Sequence, residues 1–462
     1  MTGREGSPAL WDLGELASAI RDRRISSREL LGEYLRRIET INPALNAVVT
    51  IDAERAFDAA YRADQATVHA SRCGPLHGLP VTVKDAIATA GIRSTGGAAE
   101  LADNVPTADP PAIRRLKQAG AIVYGKSNAP RWSGDIQTYN DLFGTTSNPW
   151  DLTRTPGGSS GGAAAAVAAG LTSFELGTDI GGSIRNPSGH CGVFGHKPSF
   201  GIIPQQGYLS PVPEPDINVF GPIARSATDL VTLLDVLAGP TDDEARAWRL
   251  SLPPPRHSDL RDYRVGLWLD DPAAEVATEV GDVLSGAAGA LARAGVRVST
   301  ARPAIDLAEA RTLYMSLMQA NTPVQPSSGI AEAIASSHSV WLDHHQARNA
   351  MRAKWAEWFC DFDVLLCPVF PTAAFRHNHS GTIGDRTLII NGRPRTHLDA
   401  TTWTVSISMA YLPSTVVPAG FTPDGLPVGA QLVGPYLEDR TCLFASAGLA
   451  ALTCGYVVPP IS

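Results

Sequence analysis

The stretch Thr155-Pro156-Gly157-Gly158-Ser159-Ser160-Gly161-Gly162, followed by Gly177-Thr178-Asp179-Ile180-Gly181-Gly182-Ser183-Ile184-Arg185, decides how this chain is read. Two glycine-rich loops each carry serine, and an apolar, Ala-rich segment from Ala163 to Leu171 lies between them. Glycine permits backbone conformations closed to other residues and lets a ligand approach main-chain N–H groups. The run Ile180-Gly181-Gly182-Ser183 can therefore aim several N–H donors at one point. An oxyanion hole needs that arrangement, with a nucleophile at its edge. A plain Gly/Ser linker would not carry Asp179, Ile184 and Arg185 so close by.

The surrounding chain fits an enzyme. Its 462 residues suffice for a large core, and 44% hydrophobic with 18% charged residues is a globular composition. A net charge of −8, with no basic cluster interleaved with aromatics, argues against nucleic acid as a partner. Six dispersed cysteines form no C-x-x-C pair, which signals neither zinc nor a redox dithiol and suits a reducing cytoplasm. Met1 to Gly6 lacks the apolar core of a secretory signal, and no apolar run approaches the roughly 18 residues of a membrane span.

Leu13, Leu16, Ala17 and Ile20 recur at helical spacing. Ser26 with Glu29 forms a capping-box pattern that opens a second helix. Gly78 to Asp85 reads as a short strand ending on Lys84. Lysine is scarce, with five against 33 arginines. A lysine at the end of an apolar strand is either a salt-bridged structural residue or a base of lowered pKa, because lysine, unlike arginine, becomes neutral when desolvated. The residues leave both readings open.

Two short motifs mislead. Gly120-Ala121-Ile122-Val123-Tyr124-Gly125-Lys126-Ser127 matches a phosphate loop, yet its middle reads as a buried strand and Pro130 blocks the helix that should follow. Gly157-Gly158-Ser159-Ser160-Gly161 matches a nucleophile elbow, yet the preceding Asn148 to Pro156 reads as loop rather than strand. Strands are expected at 263–268, 296–299, 362–368, 414–420 and 426–433, with a helix at 276–294. A Gly/Asn-rich stretch at 376–396 precedes the final two strands. His344, His345, His377, His379 and His397 lack metal-site spacing and read as surface or loop histidines.

With Lys84, Ser159 and Ser183 set side by side, the chain resembles the amidase signature family. The similarity runs from about residue 10 to 455 and also covers Gly78 to Asp85, Phe143 to Trp150, Cys191 to Gly195 and Gly425 to Gly434. The resemblance implies an α/β fold, an α/β/α sandwich around a large mixed β-sheet. It implies one catalytic domain over 8–457, with a helical segment at 1–70 and a more variable segment at 241–360. Ser183 matches the family nucleophile, Ser159 the bridging serine after a cis peptide bond, and Lys84 the base. The N–H groups of Ile180, Gly181, Gly182 and Ser183 match the oxyanion hole. Asp179 and Arg185 match a supporting charge pair, and Ser160 and Thr178 are supporting hydroxyls. Neither metal nor organic cofactor is implied.

The resemblance further implies hydrolysis of carboxylic amides, with carbamates and esters open to the same chemistry. The alternative is the glutamine-hydrolysing subunit of a tRNA-dependent amidotransferase. The implied partner is a small-molecule amide or carbamate, not nucleic acid or membrane, and a homodimer is compatible. Ser133, Gly158, Trp132 and Tyr411 are the expected substrate-binding residues, although Trp132 reads equally well as packing. Tyr411 replaces a family glycine in the segment Ser408 to Pro413 and is expected to reshape one pocket wall. His196 stands where the family often has an apolar residue.

Overall fold

The computed structural model describes residues 7–69, 73–212, 214–320 and 338–461. Helices α1 (Leu13–Arg21), α2 (Ser27–Leu45) and α3 (Ala53–Val68) lead the chain. Reciprocal capping boxes, Asp12 with Glu15 and Ser26 with Glu29, start the first two by satisfying N–H groups that no helical carbonyl can reach.

A small sheet has the order β1–β3–β2: β1 (Val48–Ile51), β2 (Pro80–Lys84) and β3 (Ile122–Ser127). Gly125, Lys126 and Ser127 lie within β3, so the phosphate-loop pattern is a paired strand here. After helix α4 (Pro111–Gln118) and the two-residue pair β4 (Tyr139–Asn140) and β5 (Gly144–Thr145), the Ala-rich segment forms α5 (Gly161–Ala168). All eight of its residues are buried. A helix apolar all round belongs inside a core, and its small side chains let β2, β6 (Glu175–Asp179) and α6 (Arg185–Cys191) approach it closely.

The large sheet is mixed and eight-stranded, in the order β10–β9–β11–β15–β14–β7–β8–β6. Its strands are β6 (Glu175–Asp179), β7 (Phe194–Lys197), β8 (Val219–Ala224), β9 (Arg264–Leu267), β10 (Arg297–Ser299), β11 (Val364–Pro368), β14 (Ser414–Phe421) and β15 (Pro427–Val433). The β10–β9–β11 edge is parallel and the rest antiparallel. Helices α6 (Arg185–Cys191), α7 (Ala227–Leu237), α8 (Thr278–Arg293), α9 (Leu307–Ala320), α10 (His338–Asp361), α11 (Thr402–Met409) and α12 (Asp439–Ala450) complete the layers. Edge strand β6 packs beside β2 of the small sheet, which brings the end of Lys84's strand next to Thr178 and Asp179.

The Gly/Asn-rich stretch contains a hairpin, β12 (Thr387–Ile390) with β13 (Arg393–Thr396). Its two turn residues, Asn391 and Gly392, both have positive φ, as a type I′ connection requires. His397, read as a surface or loop residue, is wholly buried against Phe375.

Candidate active site

Lys84 is completely buried, and its Nζ lies 2.7 Å from Ser159 Oγ and 2.7 Å from Thr178 Oγ1. Burial drives its pKa down from the ordinary lysine value to about 7, against the pull of the Asp179 and Glu175 charges. Three of the five lysines, Lys84, Lys126 and Lys197, are buried in this protein. Lys126 and Lys197 spend their ammonium groups on carbonyl oxygens and one threonine hydroxyl. Lys84 alone among them faces two serine or threonine hydroxyls.

The Gly158–Ser159 peptide is cis. Gly158 is pressed against the 135–137 backbone, where a side-chain carbon would lie 2.6 Å from Asp135 O and Gln137 N. Ser160 ties the two glycine loops together. Its N–H donates to Ser183 O at 3.0 Å, and its hydroxyl donates to Thr178 O at 3.3 Å. Ser183 itself is half-buried, at the mouth of this network.

The turn at 180–185 is held from below by Asp179, whose carboxylate accepts the N–H groups of Gly182 at 2.8 Å, Ile184 at 3.0 Å and Arg185 at 3.3 Å. The expectation for Gly182 is therefore corrected: its N–H is committed to Asp179 and anchors the turn. No described residue accepts from the N–H groups of Ile180, Gly181 or Ser183. Gly182 takes φ +121°, and a side-chain carbon there would meet Thr404 Oγ1 at 2.6 Å and the Asn186 amide at 2.7 Å. Thr404 Oγ1 in turn donates to Gly181 O at 2.7 Å, and the Tyr314 hydroxyl lies over Gly181.

Arg185 uses its guanidinium in full. It reaches both Asp179 oxygens, Thr404 O, Gln431 Oε1 and Ser408 Oγ, all within 3.0 Å. Sequence reasoning missed Thr404 and Gln431. The available signal for Gln431 was a glutamine inside the apolar strand Val428 to Val433, since a buried amide needs a partner. Glu175, between Phe174 and Leu176, gave the same signal.

The expected substrate-binding residues separate. Trp132 and Ser133 both have positive φ, 53° and 56°. Trp132 packs against Gly96 and donates its N–H to Gly96 O. Ser133 Oγ is buried and has no hydrogen-bond partner among the described residues. Tyr411 is held on several sides. Its hydroxyl donates to Asp216 at 2.6 Å, Phe200 stacks on its ring, and Arg348 and Arg352 also pack over it. The ring is a brace between loop and helix. His196 is a fold clamp, bonded to Thr415 and Asp439.

A buried lysine on a serine, beside a glycine turn with free N–H groups, is the apparatus of a hydrolase, and the comparisons give its family. The model of the Amidase family matches residues 29–443, and the chain belongs to that family, the amidase signature enzymes, which hydrolyse C–N bonds. The chain is 32% identical to one subunit of the glutamyl-tRNA(Gln) amidotransferase of Moorella thermoacetica, over 94% of each chain. It is 33% identical to the same subunit from a Synechococcus species, over 91% of each. Among solved structures it resembles a crystallised amidase, with TM-score 0.82 and 28% identity over 96% of this chain and all of that one. It also resembles a chain from a vestigial complex bearing on the origins of an s-triazine catabolic enzyme, with TM-score 0.83 and 26% identity over 96% and 98%.

Proposed function

We propose that this protein cleaves carboxylic amides through an acyl-enzyme on Ser183, as a free-standing hydrolase. The observation that carries the reading is the wholly buried Lys84 amine, 2.7 Å from Ser159 and with a pKa near 7. Neutral Lys84 takes a proton from Ser159 as Ser159 takes one from Ser183. Ser183 Oγ attacks the carbonyl carbon, and the N–H groups of Ile180, Gly181 and Ser183 hold the resulting oxyanion. The proton returns through Ser159 to the leaving nitrogen, the C–N bond breaks, and water then releases the acyl group. Amines leave poorly unless protonated, so the relay matters more for amides than for esters. Aryl amides and carbamates are the substrates we favour. Buried, unpaired thiols at Cys191, Cys367 and Cys442 support a reducing, cytoplasmic setting.

A second reading is the glutamine-hydrolysing subunit of a tRNA-dependent amidotransferase. Similarity along nearly the whole chain to subunits of glutamyl-tRNA(Gln) amidotransferases supports it more directly than any comparison supports the free-standing enzyme. The altered 408–413 segment speaks for the first reading. One assay separates them: turnover by the isolated chain and by Ser183→Ala of an anilide, its carbamate, its ester and glutamine. Cleavage of anilide or carbamate by the wild type alone supports the hydrolase. Glutaminase activity that appears only with partner subunits supports the second reading. Full activity in Ser183→Ala overturns both.

A further inference from the structure

We infer that a cleft beside Arg352 is a second binding site, which takes a small organic carboxylate with an apolar body. The cleft holds about 720 Å³, within the range of small-molecule sites. Arg352, Ala356 and Phe359 of α10 line it, together with Ala410 and Leu412 on either side of Tyr411 and Tyr436 ahead of α12. None of Lys84, Ser159 and Ser183 is among its lining residues.

Three arginines and two carboxylates line the cleft, Arg256, Arg264 and Arg352 against Asp363 and Glu438. Glu438 is taken by Arg256, whose Nε and Nη2 donate to its two oxygens at 2.6 and 2.8 Å. Asp363, wholly buried, takes Arg264 at 3.0 and 3.2 Å and Arg256 Nη1 at 3.2 Å. His257 Nε2 lies 3.3 Å from the same Asp363 carboxylate. Both carboxylates are thus matched, and Arg352 is the surplus cation.

The Arg352 guanidinium carbon lies 4.9 Å from the ring centroid of Tyr411 and 4.9 Å from that of Tyr436. Ring faces attract a cation but leave its N–H groups without oxygen acceptors. Among the described residues, no oxygen or nitrogen accepts from Arg352. Both rings are themselves fixed. The Tyr411 hydroxyl donates to Asp216 at 2.6 Å, the Tyr436 hydroxyl donates to Phe200 O at 3.2 Å, and Phe200 stacks on Tyr411. Arg352 is therefore held in place with its donors unspent, so an anion binds without first ordering a long side chain. A guanidinium fork matches a carboxylate, and one surplus charge calls for a monoanion. Phe359, Ala410, Leu412 and Pro435 supply apolar lining that an inorganic anion cannot use and an apolar body can.

The test is a fluorine NMR titration of para-fluorobenzoate against the full chain, as wild type, Arg352→Gln and Ala356→Trp. Wild type should bind the acid saturably, and added salt should weaken that binding. Arg352→Gln should lower the affinity on the order of tenfold, the worth of a charge-assisted pair of hydrogen bonds. Ala356→Trp fills the cleft from an exposed position on α10 and leaves every charge in place, and it should lower the affinity at least as far. The uncharged para-fluorobenzyl alcohol should bind wild type no better than Arg352→Gln does. Inorganic phosphate at equal concentration should leave the bound acid in place. Absence of saturable binding to wild type overturns the proposal. Wild-type affinity in Arg352→Gln or in Ala356→Trp places the acid elsewhere and overturns it too. Displacement by equal phosphate, or tighter binding of the alcohol to wild type than of the acid, overturns the ligand class. If Arg352→Gln folds poorly, Ala356→Trp decides alone.

Discussion

Asp179 Oδ1 lies 2.9 Å from Arg185 Nη2, with both side chains wholly buried. Burial alone would push the Asp179 carboxyl up, yet Arg185 and its hydrogen bonds hold it below the usual carboxylate range. The pair is an anchor: Arg185 grips α11 and β15, while Asp179 grips three N–H groups of the turn that carries Ser183. Arg185→Lys offers three donors where five are used and cannot match the fork. Breaking a buried pair of this kind costs about 3–5 kcal/mol. Urea unfolding of Arg185→Lys should show that loss, and the folded fraction should turn over amide far more slowly than wild type.

In the proposed mechanism Lys84 must be neutral to accept a proton. With a pKa near 7 rather than the ordinary lysine value, kcat/KM should rise with pH through about 7 and level off above it. Lys84→Arg cannot lose its proton and should be inactive at every pH while remaining folded. An acid limb that stays near pH 10, or activity in Lys84→Arg, would remove Lys84 from the role.

Gly182 is the point where backbone geometry and function meet. Gly182→Ala puts a side chain at φ +121° and within 3 Å of Thr404 Oγ1 and the Asn186 amide. Strain of this kind costs about 1–3 kcal/mol. Because Thr404 also holds Gly181 O, relief of the clash should displace the N–H groups of the proposed oxyanion hole. Thermal unfolding should record a modest loss, and kcat should fall much further than stability does.

Local patterns in the sequence carried much of this fold. The capping boxes, the buried strand ending on Lys84 and the apolar α5 all follow from neighbours within a few residues. The hairpin at 387–396 was legible too, through Asn391-Gly392, but a stretch rich in glycine and asparagine masks that signal when read by composition. What no local pattern supplies is the pairing of distant polar groups. Arg185 meets Gln431 across 246 positions, Asp135 meets Arg386 across 251, and Tyr411 meets Asp216 across 195. Tyr411 as a brace became readable only once Asp216 was in place, whereas Gly182 donates to Asp179, three positions away.

Glu175 opens β6 with its carboxylate buried beneath Lys84, accepting from Thr82. Burial raises its pKa to about 7, against Thr82, Ser127 and Lys126, which favour the charged form. Its charge supports the protonated form of Lys84, so removing that charge lowers the Lys84 pKa. Glu175→Gln keeps the size and a hydrogen-bonding oxygen, and its acid limb should therefore move to lower pH. The two groups titrate in the same range, so the wild-type limb belongs to the pair and should be broader than one ionisation. In Glu175→Gln it should narrow to a single proton. A limb that moves to higher pH in that variant would show that Glu175 acts on Lys84 through packing rather than charge.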